Sequence, residues 1–212
     1  MKTENKQSVN ILKVTKGQLD ISGGDYYLYA FLIYNENRIE EHYALANFSN
    51  WNDNDIIPFR INSACLTSEV FGCQRCDCKW QLERAISYIS EKGSGVITYH
   101  PNHEGLGHGI FEKLNSFKGL GEINRSYKEI CSGEEDIRDF KPVKVILEYF
   151  NIKNVLLLGN NLRKRRFIDD CGVKVSEVFN LIYDGDIESI NRYIDNKSRK
   201  PEHFELKKRH GS

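Results

Sequence analysis

Apolar and polar positions follow two different patterns along the chain, and the change between them predicts two kinds of secondary structure. In the first third, three segments are rich in aromatic and branched residues and are typical of β-strands: residues 26–34, 41–48 and 57–66. A polar break separates the first two segments, so we expect them to form a hairpin. Residues 1–9 are polar and are expected to be flexible.

After residue 78, helical periodicity alternates with short apolar runs. Leu82, Ala85, Ile86 and Ile89 recur at the spacing of an amphipathic helix, which Gly93 ends. Further helices are expected after the glycine-rich turn 103–109 (with Ile110, Leu114 and Phe117 on one side), from Pro142, over 160–172 and over 186–195. Buried strands are expected at 95–100, 154–159 and 173–179. This order predicts an α/β fold of the mixed α+β type, with a β-rich N-terminal part followed by alternating helices and strands.

The same pattern predicts how the chain is divided. We expect a single domain over residues 10–195, followed by a flexible charged tail over residues 196–212. Within the domain, residues 119–139 hold glycines and many charges and are expected to form a loop.

The charge balance excludes several function classes. Lysine and arginine number 30, as do aspartate and glutamate, so the formal net charge is zero. Because a nucleic-acid binder usually shows a basic excess, this balance argues against a nucleic-acid partner. No stretch approaches the ~20 apolar residues of a membrane span, and the polar start shows no secretory leader. We therefore expect a cytoplasmic protein with reduced thiols and no membrane partner.

The cysteines are the first candidates for chemistry. Four of the six lie within fourteen positions: Cys65, Cys73, Cys76 and Cys78. In a reducing compartment this crowding favours a metal over disulfides. Three thiolates with an open fourth position describe a catalytic zinc, whereas Cys73 as a fourth ligand would close a structural zinc site, and the spacing also allows no metal. The two remaining cysteines, Cys131 and Cys171, are expected to be small buried apolar residues.

The chain resembles the GTP cyclohydrolase II family in four segments that occur in order. They are RINSACLTSEVFGCQRCDCKWQL (60–82), GVITYHPNHEGLGHGIFEKL (95–114), DIRDF (136–140) and LLLGNNLRKRRFIDDCGVKV (156–175). With EHYALANF (41–48), the resemblance covers residues 25–180. This family opens the imidazole ring of GTP by zinc-assisted hydrolysis at C8, releases formate and pyrophosphate, and supplies riboflavin synthesis. The resemblance implies the family's fold, one Zn²⁺ per chain, Mg²⁺ with the nucleotide phosphates, and a homodimer.

The resemblance also implies roles for individual residues. The metal ligands fall on Cys65, Cys76 and Cys78, while Cys73 falls where the family usually has serine. The catalytic positions are Asp136, as proton acceptor, and Arg138, as attacker on the α-phosphate, which is demanding for a group of such high pKa.

The substrate-binding positions implied by the resemblance are Arg60 (phosphate), Ser63, Gln81 (guanine edge), Glu104 and Gly105 (glycine-rich phosphate turn) and Lys164 (phosphate). Without the resemblance, the charged and amide side chains among them are also typical of solvated strand and helix surfaces, so the structural alternative stays open for each.

The sequence departs from the family pattern inside the same motifs. Leu106 stands where the family has arginine, Phe117 where it has the catalytic tyrosine, and Gly159 where it has threonine. Asn62 and Ala64 replace a histidine and a glutamate. Loss of the arginine removes a charged hydrogen bond of roughly 1.5–3 kcal/mol, so we expect weaker triphosphate binding or a substrate with fewer phosphates. Loss of the tyrosine hydroxyl puts the release of formate in question.

Three functions follow from these observations. The first is a divergent enzyme that opens the ring of a guanine nucleotide and stops at a formamidopyrimidine nucleotide. The second is the full reaction with release of formate, in which histidines near the glycine-rich turn compensate: His100, His103 and His108. The third is a zinc-stabilised nucleotide-binding protein without catalysis.

Overall fold

The computed structural model describes residues 9–21, 24–52 and 56–200, and its centre is a mixed sheet of seven strands. The strands are β1 (Asn10–Ile21), β2 (Gly24–Asn35), β3 (Arg38–Asn47), β4 (Ile57–Ser63), β5 (Gly95–His100), β6 (Asn154–Leu158) and β7 (Lys174–Phe179). Their order in the sheet is β1-β2-β3-β5-β4-β6-β7. The first four in this order pair antiparallel, whereas β5, β4, β6 and β7 run parallel. The predicted mixed α/β class is confirmed.

Seven α-helices and one 3-10 segment connect or cover these strands in the described part of the chain. The helices are α1 (Leu66–Glu69), α2 (Cys78–Lys92), α3 (Gly109–Ser116), α4 (Tyr127–Cys131), α5 (Lys141–Tyr149), α6 (Leu162–Asp170) and α7 (Glu188–Lys197), and the 3-10 segment is Pro101–Gly107. In β5, Val96 packs into a core with α5, whereas the next residue, Ile97, packs into a core with Ala85 and Ile89 of α2. Helices therefore cover both faces of the sheet.

The predicted hairpin is confirmed. Strands β2 and β3 pair from Tyr26 with Asn47 to Asn35 with Arg38. The turn between them, residues 36–37, has positive φ at both positions, as the two-residue turns that match strand twist require.

Strand β1 was not predicted from the sequence. It forms the edge of the sheet, most of its residues are exposed, and a bulge interrupts its pairing between Ile11 and Lys13. Because neither face is fully buried, selection for apolar residues is weak there, and the lysines and Gly17 hide the alternation.

Three further predictions are wrong in detail. Helix α3 does not bury Ile110, Leu114 and Phe117 together: Leu114 is 52% exposed and Phe117 lies beyond the helix in extended conformation. The loop expected at 119–139 contains α4, which a capping box at Ser126 and Glu129 begins. Cys131 and Cys171 are half-buried rather than buried.

The described residues end shortly after helix α7. Helix α7 extends to Lys197, two residues into the segment assigned to the tail. The flexibility expected for residues 1–9 and 196–212 concerns mainly residues 1–8 and 201–212, which lie outside the described residues. Among the described residues, no helix combines the length and apolar character needed to cross a membrane.

The parallel half of the sheet determines where a site can form. Strands β4, β5 and β6 end at the same edge, at Ser63, His100 and Leu158. Parallel α/β sheets place ligands outside the carboxyl ends of their strands, so the segments that follow these three strands are the expected position of a site.

Candidate functional site

A cavity of about 820 Å³ lies at this edge of the sheet. Its wall includes every site residue expected from the sequence: Arg60, Ser63, Cys65, Cys76, Cys78, Gln81, Glu104, Gly105, Asp136, Arg138 and Lys164. The fold therefore brings together residues that are up to 104 positions apart in the chain. Most of them are buried or half-buried, which argues against the alternative that they are solvated surface side chains.

Three cysteines form a cluster in the wall of the cavity. Cys65 follows β4 and precedes α1, Cys76 lies in the connection to α2, and Cys78 begins α2. All three sulfur atoms lie within 4.8 Å of one another, and the Cys65 and Cys76 sulfurs are 3.6 Å apart. Cys73 lines the same cavity but lies outside this group among the described residues. We call Cys65, Cys76 and Cys78 the cysteine cluster.

The three thiols of the cysteine cluster differ in the direction in which their pKa values are shifted. Hydrogen bonds from Cys76 and Cys78, together with the nearby Lys113 ammonium, hold the pKa of the Cys65 thiol far below its usual range. The anionic Cys65 sulfur in turn raises the pKa of Cys76 to about 12 and that of Cys78 well above its usual value. By itself the protein thus favours one thiolate, and a bound cation is what would ionise the others.

Lys113 and Glu104 continue this cluster. The Lys113 ammonium nitrogen lies 3.0 Å from the Cys65 sulfur and 2.6 Å from Glu104 Oε1. Glu104 also accepts hydrogen bonds from the backbone amides of Leu66 (2.6 Å) and Gly105 (3.0 Å). The Glu104 carboxylate is therefore engaged by the protein itself, and its expected role in substrate binding stays a prediction.

Arg60 and Gln81 form the floor beneath the cysteines. Arg60 on β4 is 6% exposed and donates to Asn62 Oδ1 at 2.9 Å and to Gln81 Oε1 at 3.2 Å. The Gln81 amide nitrogen donates to Asp77 at 2.6 Å. Burial lowers the pKa of the Arg60 guanidinium. Gln81 thus bridges a buried cation and a buried carboxylate next to Cys78, so its amide orientation is fixed.

Asp136 and Arg138 form a tight pair opposite. Arg138 donates from Nη2 to Asp136 at 2.5 Å and from Nη1 to Ser63 Oγ at 3.2 Å, and Arg163 lies 2.8 Å from the same carboxylate. Burial opposes ionisation of Asp136, but the hydrogen bonds from Arg138 outweigh it and hold the Asp136 pKa below its usual range. In this arrangement the carboxylate is a weak base, and its main effect is to orient Arg138.

Lys164 completes a group of cations at the cavity floor. Its ammonium donates to the Ile61 carbonyl oxygen at 2.9 Å. Burial, and then the neighbouring Arg138, Arg60 and Lys197, lower the Lys164 pKa well below the usual lysine value. We call Arg60, Arg138, Lys164 and Lys197 the cation cluster.

The histidines near the glycine-rich turn occupy different environments. Only His103 lies in the cavity wall, where it contacts Ser63 Oγ at 3.2 Å, and burial lowers its pKa to about 3. His100 is fully buried against His42, with 3.0 Å between their Nδ1 atoms. His108 stacks on Tyr127 outside the cavity wall. Of the three histidines expected to assist the reaction, His103 alone reaches the site.

Sequence reasoning missed the contribution of α7. Tyr193 and Lys197 line the cavity, and the Lys197 ammonium lies 3.7 Å from Asp77 Oδ1. The periodicity of Ile190 and Ile194 predicted the helix, but nothing in that pattern marks the polar side that faces the cysteines. Lys113 lies inside a family-like segment, yet only the folded structure shows that it reaches Cys65.

The positions that depart from the family pattern also lie in the cavity wall. The Arg75 guanidinium lies over the Phe117 ring at 4.7 Å, so the ring that lacks a hydroxyl belongs to the site. Leu106 adopts a positive φ of 57° in the turn, and Gly159 lies near the Arg60 guanidinium.

Comparisons with known proteins agree with this site. A family model described as GTP cyclohydrolase II matches residues 13–180. The riboflavin biosynthesis protein RibBA of Staphylococcus haemolyticus is 38% identical over 147 residues, which cover 68% of this chain and 37% of the relative. That of Staphylococcus saprophyticus is 32% identical over 205 residues, 94% of this chain and 49% of the relative. The chain thus spans less than half the length of these relatives.

One solved structure is weakly similar. It is RibBX, a two-domain 3,4-dihydroxy-2-butanone 4-phosphate synthase from A. baumannii, with a TM-score of 0.40 and 14% identity, covering 85% of this chain and 42% of that one. The sequence comparisons, by contrast, extend over most of the chain and include the whole cysteine cluster. On these matches, the chain belongs to the GTP cyclohydrolase II family.

Proposed function

We propose that this protein opens the imidazole ring of a guanine nucleotide by zinc-dependent hydrolysis, with one Zn²⁺ per chain. The observation that supports this most strongly is the position of the cysteine cluster beside the cation cluster in one cavity. A metal site next to a phosphate site suits a reaction in which a nucleotide is held by its phosphates while its base faces the metal.

The cysteine cluster suits zinc in particular. Three thiol sulfurs within 4.8 Å of one another are the soft donors that zinc prefers, and the cavity leaves room for a fourth ligand. When bound there, zinc would supply an activated water near neutral pH. The chain's own residues supply the rest: Arg60 and Gln81 hold their positions below the cysteines, and Arg138 is oriented by Asp136 and Ser63.

The cation cluster suits the phosphates. Among the described residues, neither Arg60 nor Lys164 forms an ion pair with a carboxylate, although Arg60 is buried and Lys164 half-buried. Buried cations that lack a counter-charge are costly, and an anionic ligand removes that cost. We expect Mg²⁺ to accompany the phosphates, as in the family.

Phe117 is the basis for proposing that the reaction stops before formate is released. The ring lies in the cavity wall but offers no hydroxyl to the formamide that forms when the ring opens. The protein therefore stops at the formamidopyrimidine nucleotide and keeps the formyl carbon in its product.

Mass spectrometry of products tests the proposal. Zinc-loaded protein is incubated with GTP, GDP or GMP and Mg²⁺, and we expect a product heavier than its substrate by one water. Release of formate would instead indicate the full reaction that supplies riboflavin synthesis, with Tyr127 or Tyr193 of the cavity wall compensating for Phe117. Tight nucleotide binding without any product would indicate a binding protein and contradict the proposal.

A homodimer is proposed from the family resemblance and from exposed apolar side chains. Phe71, Phe111 and Leu120 are 75%, 73% and 94% exposed. Such residues are expected to be covered when they are close together on a surface. Sedimentation of the protein tests this: a mass of one chain would contradict it. The cytoplasmic location stays a prediction.

A further inference from the structure

We propose that Lys113 tunes the metal site by donating a hydrogen bond to the Cys65 thiolate, and that Glu104 is the residue that positions it. The inference rests on the proposed zinc site. It gives Glu104 and Lys113 a role in orienting and balancing a ligand, rather than in contacting the substrate.

The negative charge of three thiolate ligands favours a charged hydrogen-bond donor beside one of them. Three thiolates around a divalent cation leave a net negative charge, which makes the ion a weak Lewis acid. The Lys113 ammonium nitrogen lies 3.0 Å from the Cys65 sulfur, and the lysine side chain is 14% exposed. A positive charge at this distance stabilises the Cys65 thiolate, and the hydrogen bond reduces electron donation from that sulfur to the metal.

Glu104 holds the lysine in place from the same side. Its Oε1 lies 2.6 Å from the Lys113 ammonium, and its Oε2 accepts from the amide of Leu66, the residue directly after Cys65. One carboxylate therefore fixes both the backbone beside the ligand and the donor to its sulfur. Such outer partners of metal ligands determine ligand orientation and metal properties.

Gly105 makes the approach possible. It adopts a φ of +57°, and a Cβ atom there would lie 3.2 Å from Cβ of Lys113 and 3.1 Å from the Tyr127 hydroxyl. The stem of the lysine passes over this glycine on its way to Cys65. The glycine-rich turn thus serves the metal site as well as, or instead of, a phosphate.

Cobalt(II) absorption of the full chain tests the inference without requiring turnover. In the wild-type protein loaded with Co²⁺, the thiolates give a charge-transfer band in the near ultraviolet. Removing a hydrogen bond raises the energy of the sulfur electrons, so Lys113→Met should shift this band to longer wavelength. Lys113→Arg, which keeps a charged donor, should keep the band close to the wild-type position. Lys144→Met, an exposed lysine on α5, is the matched control and should not change it.

Kinetics with zinc gives the second readout. We expect Lys113→Met to lower kcat by about 10- to 100-fold with little change in KM, because the lysine acts through the metal ligand. Glu104→Gln should shift the cobalt band in the same direction by a smaller amount. If the wild-type band is present and both variants leave its position unchanged, or if Lys113→Met changes only KM, the inference is wrong while the zinc site stands. Lack of any thiolate band in the wild type would overturn the proposed zinc site and this inference together.

Discussion

The cysteine cluster and the cation cluster share one cavity but differ in how the protein balances their charges. Beside the cysteines, Lys113 and Glu104 form a closed set with the ionised Cys65. In the cation cluster, Arg60 is buried and Lys164 half-buried, and the hydrogen-bond acceptors that the described residues offer them are neutral. The first arrangement holds a ligand in a defined position, whereas the second stores an electrostatic cost that an incoming anion relieves. The comparison explains why the two clusters should respond differently to substitution.

The largest expected effect is loss of a metal ligand. Cys76→Ser should lower bound zinc to well below one ion per chain and lower turnover by more than about 100-fold, since the remaining two thiols cannot hold the ion. Metal analysis of the purified protein, together with the product assay, checks this. Cys171→Ser, a half-buried cysteine far along the chain, is the control and should keep its zinc. Full zinc content in Cys76→Ser would mean that Cys73 or another group is the ligand.

The next largest effect is expected from a substitution in the cation cluster, which should change nucleotide binding but not the metal content. Lys164→Met should raise KM for a guanine nucleotide by roughly 10- to 100-fold, the range expected for a charged hydrogen bond, and should leave zinc content unchanged. Because the charged lysine is costly to bury, the same change should increase the free energy of unfolding. Urea unfolding and steady-state kinetics measure the two quantities. A variant that loses stability and keeps its KM would contradict the assignment of Lys164 to the phosphates.

A smaller effect concerns the buried histidines behind Ser63. Burial lowers the pKa values of His42, His100 and His103, the last to about 3, against about 6.5 for an unfolded histidine. Below pH 6.5 the unfolded chain therefore binds protons that the folded chain does not, and the free energy of unfolding falls as pH decreases from 6.5 toward 4. Each histidine contributes up to about 1.4 kcal/mol per pH unit.

Urea unfolding between pH 7 and pH 4.5 measures this dependence. His103→Gln should reduce the slope by about the share of one histidine, because glutamine does not titrate. An equal slope in the variant and the wild type would show that the His103 pKa is the same in the folded and unfolded chains.

The smallest expected effect is that of alanine in place of Gly105, with Gly72 as the matched control. Gly105→Ala and Gly72→Ala both place alanine at positive φ, +57° and +68°, at a cost of about 1 kcal/mol each. Of the two, only at Gly105 does the added Cβ meet neighbours, among them Lys113 at 3.2 Å; at Gly72 no atom of the described residues lies within 4 Å. Gly105→Ala should therefore lower the temperature of thermal unfolding more than Gly72→Ala, and the cobalt band should shift only in Gly105→Ala. Equal spectra would show that the turn does not control Lys113.

Sequence patterns predicted the parallel half of the fold well, because its strands are continuous apolar runs and its helices have one apolar side. Ile97 lies in one of these apolar runs and Ile89 at a position marked by helical periodicity, and both are essentially buried. Sequence patterns failed for the edge strand around Val14 and for the apolar side of the helix that contains Leu114. Many side chains of these two elements are exposed, so the need to bury apolar surface does not determine their residue types.

The site shows the same division. Ordered motifs indicated which residues belong together, and the cavity contains all of them. Motifs did not show that Glu104 bonds to the protein itself, that His100 faces His42, or that Lys197 from α7 reaches Asp77. These contacts join residues distant in sequence, and only packing determines them.

We propose that this chain opens a purine ring at the cysteine cluster. Carbon-13 NMR of GTP labelled at C8, followed with zinc-loaded wild-type protein and with Cys76→Ser, tests it most directly. We expect the C8 signal to move from the purine region to that of a formamide still attached to the product, and to stay in the purine region with Cys76→Ser. An unchanged purine signal with the zinc-loaded wild type, or equal conversion by the variant, would contradict it.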